Sequence, residues 1–276
     1  DNHFDAIDVG FSLNLGEEQS LVDLGDNLMT NVRTAAQITG NWEGWIRDNI
    51  VLDVENGFLL DAGDYASPLV VHGNWIRSSA QALAVKNGPL VLSNNIVQGE
   101  GLVWNLGESG RELGEVLVVG NSFLIQEERP FEQATVDGLK LYNNLSAAAL
   151  PVVEGERADA NGLCDEAASC WVDPDAGLFY PVDGVQGVPS GAEVEELGMD
   201  FCGKVRPERS TFGALEPSCD VNPEPFVTDF KSTYVCTYPV LGGDEGCEDD
   251  LDTGEVDPIV ENGCSCTSLK RSPRGW

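Results

Sequence analysis

Positive charge is scarce in this chain: 15 lysines and arginines stand against 47 aspartates and glutamates, for a formal net charge of −32. A surface of that sign repels phosphate backbones and anionic lipids, which excludes direct binding to nucleic acid or to an anionic membrane and favours cations or a salty medium. Long apolar runs are missing too, because the longest, residues 147–153, is too short to span a bilayer. We expect no transmembrane segment.

Patterns that carry known chemistry are also missing. The only histidines are His3 and His72, and no Cys-x-x-Cys pair exists, which disfavours a zinc site. Nothing matches a Ser/His/Asp or Cys/His nucleophile, a phosphate loop or a dinucleotide fingerprint. An even number of cysteines in an acidic chain instead favours disulfides and an oxidising compartment. The natural local pair is Cys164–Cys170, and the other pairings stay open. The candidates are Cys164, Cys170, Cys202, Cys219, Cys236, Cys247, Cys264 and Cys266.

What the chain does have is a repeat built on asparagine. Successive anchors are separated by 22, 25, 21, 26 and 23 residues, and Asn2 fits as the remnant of one further copy. The six anchors are Asn27, Asn49, Asn74, Asn95, Asn121 and Asn144. A unit of 20–30 residues with strands and tight turns is typical of a solenoid, in which each coil buries its apolar face against its neighbours.

Apolar columns keep register with these anchors. Three positions before them stand Leu24, Ile46, Val71, Leu92, Val118 and Leu141, and two positions after them stand Met29, Val51, Ile76, Val97 and Phe123. Nine and eleven positions after them, three copies show Ala36/Ile38, Phe58/Leu60 and Leu83/Val85. Alternate inward positions have the period of a strand.

The repeat predicts an all-β parallel β-helix of about six to eight coils. Asparagine suits its corner because it tolerates the left-handed backbone conformation and because stacked amides can form a hydrogen-bonded ladder. The leucine spacing of leucine-rich repeats is absent, and unrelated turns in a β-sandwich are the remaining alternative. Since the chain opens within the repeat, we expect a fragment that lacks earlier coils.

Three phrases follow the repeat in a fixed order. They are Val172-Asp173-Pro174 with Gly177-Leu178-Phe179, Asp200-Phe201 with Gly203 and Arg206-Pro207, and Gly213-Ala214-Leu215-Glu216. This set resembles the last coil of right-handed parallel β-helix proteins of the choice-of-anchor Q type, in the pectate-lyase-like superfamily. The resemblance implies a β-helix domain over residues 1–217, with a cysteine-containing loop and terminal coil at 151–217. We expect Asp200 and Arg206 to be structural.

Residues 218–276 differ in character. Between 220 and 262 the chain holds twelve acidic side chains and one lysine without sustained periodicity, which predicts an acidic, cysteine-containing stalk. Gly263-Cys264-Ser265-Cys266 followed by Lys270-Arg271 resembles a degenerate MYXO-CTERM sorting motif that lacks its hydrophobic helix. A local disulfide is the alternative interpretation.

Variable links between coils should project from one edge of the solenoid. Aromatic faces among carboxylates and an arginine suit sugar rings, which predicts a ligand-binding edge, although solvated acidic loops explain the pattern as well. The predicted binding residues are Trp42, Glu43, Tyr65, Trp104, Glu108 and Arg111.

We interpret the chain as a secreted or cell-surface, monomeric, non-catalytic module for adhesion or for binding a glycan or protein partner, with no required cofactor. The main alternative is a polysaccharide lyase or glycoside hydrolase, which would use carboxylates with an arginine or lysine base, and calcium bound at Asp61 and Asp64. A structural spacer is the second alternative. If the chain is an enzyme, the catalytic candidates are Asp53, Asp61, Asp64, Arg77 and Lys86.

Overall fold

The structure is a computed structural model that describes part of the chain in detail. The described residues are 2–61, 68–86, 89–100, 102–106, 114–125, 131–133, 138–147, 150, 161–164, 170–173, 178–181, 198–203, 205–206 and 212–215. The predicted stalk at 218–276, with Cys219, Cys236, Cys247, Cys264 and Cys266, lies outside them.

The described residues form strands and almost no helix. In chain order the strands are β1 (Asn2–Asp5), β2 (Val9–Asn14), β3 (Ser20–Gly25), β4 (Asn27–Thr30), β5 (Thr34–Thr39), β6 (Trp42–Arg47), β7 (Ile50–Asp61), β8 (Leu69–His72), β9 (Trp75–Val85), β10 (Leu90–Ser93), β11 (Ile96–Gly99), β12 (Leu102–Leu106), β13 (Val116–Val119), β14 (Ser122–Ile125), β15 (Phe131–Gln133), β16 (Leu139–Tyr142), β17 (Leu145–Ser146), β18 (Gly162–Leu163), β19 (Trp171–Asp173) and β20 (Leu178–Pro181).

Parallel pairing sorts these strands into three stacks. Stack 1 contains β3, β6, β8, β10, β13 and β16. Stack 2 contains β1, β4, the first halves of β7 and β9, then β11, β14, β17 and β18. Stack 3 contains β2, β5, the second halves of β7 and β9, then β12 and β15. The chain is therefore a parallel β-solenoid of about five complete turns with partial turns at both ends, and the predicted fold class is confirmed.

The predicted columns are the buried columns. In stack 1, Leu92 pairs with Val71 on one side and Val118 on the other, and all three are buried. In stack 3, Phe58 pairs with Ala36 and with Leu83. These side chains belong to one continuous core inside the coils. Period-two alternation therefore located the interior correctly.

The asparagines form a continuous amide ladder between stacks 1 and 2, at what we call the asparagine corner. Each Nδ2 donates to the Oδ1 of the next asparagine at 2.8–3.0 Å. Each Oδ1 from Asn49 onward also accepts the preceding anchor's backbone N–H. The ladder contains the six predicted anchors, Asn2 before them, and Asn161, which the repeat spacing missed. The amides thus satisfy one another inside the solenoid.

The left-handed residue of this corner is not the ladder asparagine. The residue just before it has a φ between 53° and 64°, and the six such residues are Asp26, Asp48, Gly73, Asn94, Gly120 and Asn143. The prediction that the anchor itself adopts this conformation was wrong. The preceding residue makes the bend, so that the anchor can direct its amide inward. Glycine, asparagine and aspartate are the residues that tolerate this conformation best.

The terminal segment, meaning the described residues between 170 and 215, packs on the outside of stack 2. Trp75 of stack 2 meets Phe179 edge to face, with ring centroids 5.2 Å apart. Asn94 also holds this segment, because its Oδ1 accepts a hydrogen bond from Nη2 of Arg206 at 2.9 Å and its Nδ2 donates to the carbonyl of Met199. Asp200 accepts the backbone N–H of Cys202. These contacts give Asp200 and Arg206 structural roles.

A disulfide joins Cys164 to Cys170, as the local pairing predicted. Cys202 is in a disulfide as well. The described part of the chain holds no helix with the length and apolar character that a membrane crossing requires.

Candidate functional site

The corner between stacks 3 and 1, which we call the loop corner, is where the variable links leave. Strands of stack 3 end there side by side, with Thr39 paired to Asp61 and Val85 paired to both Leu60 and Leu106. The links therefore start from one edge, as expected. Of the predicted site residues on them, Asp64, Tyr65, Glu108 and Arg111 lie outside the described residues.

The two tryptophans assigned to this edge do not face solvent. Trp42 and Trp104 are both fully buried, so their expected role as exposed binding faces was wrong. Trp104 stacks inward above Leu83 and meets Phe123 edge to face at 5.5 Å. Trp42 donates from Nε1 to the carbonyl of Asp61 at 3.3 Å. Both rings fill the core behind the loop corner.

The catalytic candidates do not converge on one point. Asp53 and Arg77 form an exposed ion pair at 2.8 Å between neighbouring coils, at the corner between stacks 2 and 3. Asp61 ends β7, eight residues further along that strand, and Lys86 follows β9 beside it, since the N–H of Lys86 donates to the carbonyl of Leu60. The described candidates thus occupy two separate corners. No cluster of three or more metal-ligating side chains occurs among the described residues.

Sequence reasoning missed an exposed apolar row on the outer face of stack 1. Trp45, Val70, Val91 and Leu117 stand in register on successive strands, each four positions before a ladder asparagine. We call these four residues the apolar stripe. Trp45 is 43% exposed and the other three are half-buried, pointing away from the core. In the same column, Asp23 lies beside Trp45 on the preceding strand and Lys140 lies beside Leu117 on the following strand.

Charged groups border the apolar stripe. Arg47 donates to Asp23 at 3.0 Å from both Nε and Nη2, and this hydrogen bonding raises the pKa of Arg47 above its ordinary value. Asp26 and Asp48 also lie within 4 Å of its guanidinium.

Three further charged groups complete this border. Lys140 pairs with Glu115 at the opposite end of the stripe. Glu43 points outward from β6 two residues before Trp45, next to Leu21, which is 66% exposed. The face therefore combines an apolar centre with a mostly acidic border.

One polar pair lies in the neighbouring row of the same face. His72 and Ser93 are in register, with Nδ1 and Oγ 2.9 Å apart. Ser93 is nearly fully buried, and Arg47 is the register neighbour of His72 on the other side. The two side chains therefore bond to each other across neighbouring coils.

Comparisons with protein-family models, with curated proteins and with solved structures give no match. The interpretation of the loop corner and of the outer face of stack 1 therefore depends on the structure of this chain alone. Of these surfaces, the outer face of stack 1 is suited to contact with another molecule, because its apolar side chains form a continuous, partly exposed row.

Proposed function

We propose that this chain is a non-catalytic, secreted or cell-surface module that binds a protein partner through the outer face of stack 1. The observation that carries the proposal is the apolar stripe. Isolated exposed apolar residues are common, but a contiguous row with a polar border is typical of protein-binding sites. Interfaces combine an apolar, aromatic centre with a polar rim, and Trp45 with its charged surroundings fits that description.

A glycan is less well supported as the ligand. The proposal of a sugar site depended on aromatic faces at the loop corner, and Trp42 and Trp104 are both inside the core. The stripe has one aromatic residue and three aliphatic ones, which is better suited to apolar side chains of a protein than to hydroxylated rings.

An enzyme is also less well supported. Lyase or hydrolase chemistry needs carboxylates or a basic residue gathered around one bond. Asp53 and Arg77 instead neutralise each other at one corner, while Asp61 and Lys86 lie at another. A non-catalytic module remains the simpler proposal.

Extracellular location and family membership belong to the same proposal. The Cys164–Cys170 bridge supports an oxidising compartment, because such bonds persist outside the cytosol. The choice-of-anchor Q resemblance, with its pectate-lyase-like relatives, agrees with the solenoid, and the cysteine motif near residue 264 would serve as the anchoring signal.

The test uses the full chain on arrays of purified extracellular proteins and of glycans, the latter with and without calcium. We expect binding to at least one protein that Trp45→Ser abolishes and that Leu59→Ser leaves intact. Leu59 is the matched control, because it is a half-buried, outward-facing residue of stack 3. Protein binding that survives Trp45→Ser, binding only to glycans, or product release from acidic polysaccharides would contradict the proposal. Failure to bind on either array would favour a structural spacer.

A further inference from the structure

We infer that the partner of the apolar stripe is a cationic protein segment with apolar side chains of its own. This inference rests on the proposed function and adds the chemistry of the partner. It follows from the charges that border the stripe, from the state of the two cations among them, and from the dimensions of the row.

Acidic groups outnumber basic ones around the stripe. The acids are Asp23, Asp26, Glu43, Asp48 and Glu115, and the bases are Arg47 and Lys140. Five negative charges against two positive ones leave this border at −3, within a chain of net charge −32. A partner with basic groups around an apolar centre is complementary to it, whereas an acidic partner or a second copy of this chain is repelled.

The two cations are already occupied. Arg47 is held by Asp23 and flanked by two further carboxylates, and Lys140 is paired with Glu115. Neither is therefore available to attract an anionic partner without breaking an existing ion pair. Excess negative charge remains the dominant electrostatic feature of this face.

Glu43 is the acid best placed to meet an incoming cation. Its side chain lies on the outward side of β6, the same side as Trp45. Within the described part of the chain, no hydrogen bond or ion pair engages its carboxylate. A lysine or arginine of the partner can thus pair with Glu43 while a neighbouring apolar side chain covers Trp45.

The row sets the size of the segment. Six strands at a spacing of about 4.8 Å give a length of about 24 Å from Asp23 to Lys140. An extended peptide of eight residues spans about 26 Å, which matches this length. Short synthetic strands can therefore report on the whole stripe.

The experiment measures binding of the full chain to four octapeptides of alternating sequence: Leu-Lys, Leu-Ser, Leu-Glu and Ser-Lys. We expect Leu-Lys to bind most tightly in 50 mM salt and to lose affinity as salt rises, because exposed charges are screened. Trp45→Ser should weaken Leu-Lys binding, and Leu59→Ser should not. Glu43→Gln should weaken Leu-Lys by about 2- to 5-fold, the range of an exposed ion pair, and leave Leu-Ser unchanged.

The remaining outcomes separate this inference from the proposal beneath it. Equal binding of Leu-Lys, Leu-Ser and Leu-Glu, all weakened by Trp45→Ser, would overturn the cationic partner and leave the binding face intact. Ser-Lys binding as tightly as Leu-Lys, with no effect of Trp45→Ser, would mean general attraction of a polycation to an acidic chain and would overturn both.

Discussion

Two rows of side chains run along this solenoid, and each reverses the usual distribution of polar and apolar groups. The asparagine ladder is polar and, from Asn27 to Asn144, buried, while the apolar stripe lies on the outer face and is partly exposed. The ladder is satisfied entirely within the molecule, so it serves the fold. The stripe has no partner within the described residues that covers Trp45, so we assign it to binding. Substitutions should therefore cost stability in the first row and binding in the second.

The largest effect is expected from Asn95→Leu. Asn95 is fully buried, accepts from the N–H and Nδ2 of Asn74, and donates to Asn121. Leucine has similar volume but leaves several buried polar groups unsatisfied, each worth about 1–3 kcal/mol, so we expect a loss of about 3–5 kcal/mol. Urea denaturation measures the change. The control is Asn105→Leu, on the half-buried outer face of β12, and equal losses for the two variants would contradict a structural ladder.

Arg206→Met tests whether the asparagine corner also holds the terminal segment. Arg206 is 7% exposed and donates to Oδ1 of Asn94 and to the carbonyl of Gly213. Its loss should weaken attachment by about 1–3 kcal/mol, because both acceptors stay buried. Limited proteolysis should then cut between residues 198 and 215 faster than in the wild type. Arg33→Met, at an exposed ion pair, is the control, and equal cleavage rates would refute the anchor.

A smaller effect is expected at the position before each ladder asparagine. Gly73 has a φ of 63°, a conformation that Asp26 and Asp48 adopt in other coils. Gly73→Val should cost about 1–2 kcal/mol, because a β-branched residue is strained there. Gly73→Asn should change the free energy of unfolding by less than about 0.5 kcal/mol. If both variants unfold alike in urea, the left-handed position does not select the residue.

The smallest effect concerns acid. The hydrogen bond from Arg33 lowers the pKa of Asp8 below its ordinary value of 3.8, and bonds from Asn31 and Thr30 lower that of Asp5. A lowered pKa in the folded state stabilises it above the unfolded pKa, and this contribution disappears as pH falls through the folded pKa. Wild type should therefore exceed Asp8→Asn slightly in urea midpoint at pH 6, with the gap closing below about pH 4. A gap that is constant with pH would contradict the ion pair.

Much of the fold follows from the sequence, because the spacing of the asparagines and the alternation of inward and outward side chains are both local properties of the chain. The anchors, the inward columns and the ladder were all predictable from spacing. The same rule would have placed Trp104 correctly, since it lies nine residues after Asn95, in the column of Phe58 and Leu83. It would also have predicted that Trp45 lies on the surface, because its column points outward even though the residues in it are apolar. Trp42 and Trp104 were instead assigned to the loop edge because aromatic rings suit sugars, and the alternation of inward and outward positions was not applied to them.

Other features could not be predicted. Asn161 follows Asn144 by 17 residues, outside the range of the earlier spacings. The docking of the terminal segment depends on contacts such as Arg206 to Asn94, which are 112 residues apart and carry no local signal. Whether the catalytic candidates converge depends on the three-dimensional structure, because the sequence does not show that Asp53 and Asp61 lie at different corners.

The contrast between the two rows is tested most directly by the free energy of unfolding of Val91→Thr, measured beside Asn95→Leu. Val91 and Asn95 are four residues apart in one coil, and only Asn95 faces inward. We predict a loss below about 1 kcal/mol for Val91→Thr, the range of one cross-strand contact, against the several-fold larger loss for Asn95→Leu. A loss at Val91 as large as that at Asn95 would mean that the stripe belongs to the core, and the binding face would have to be abandoned.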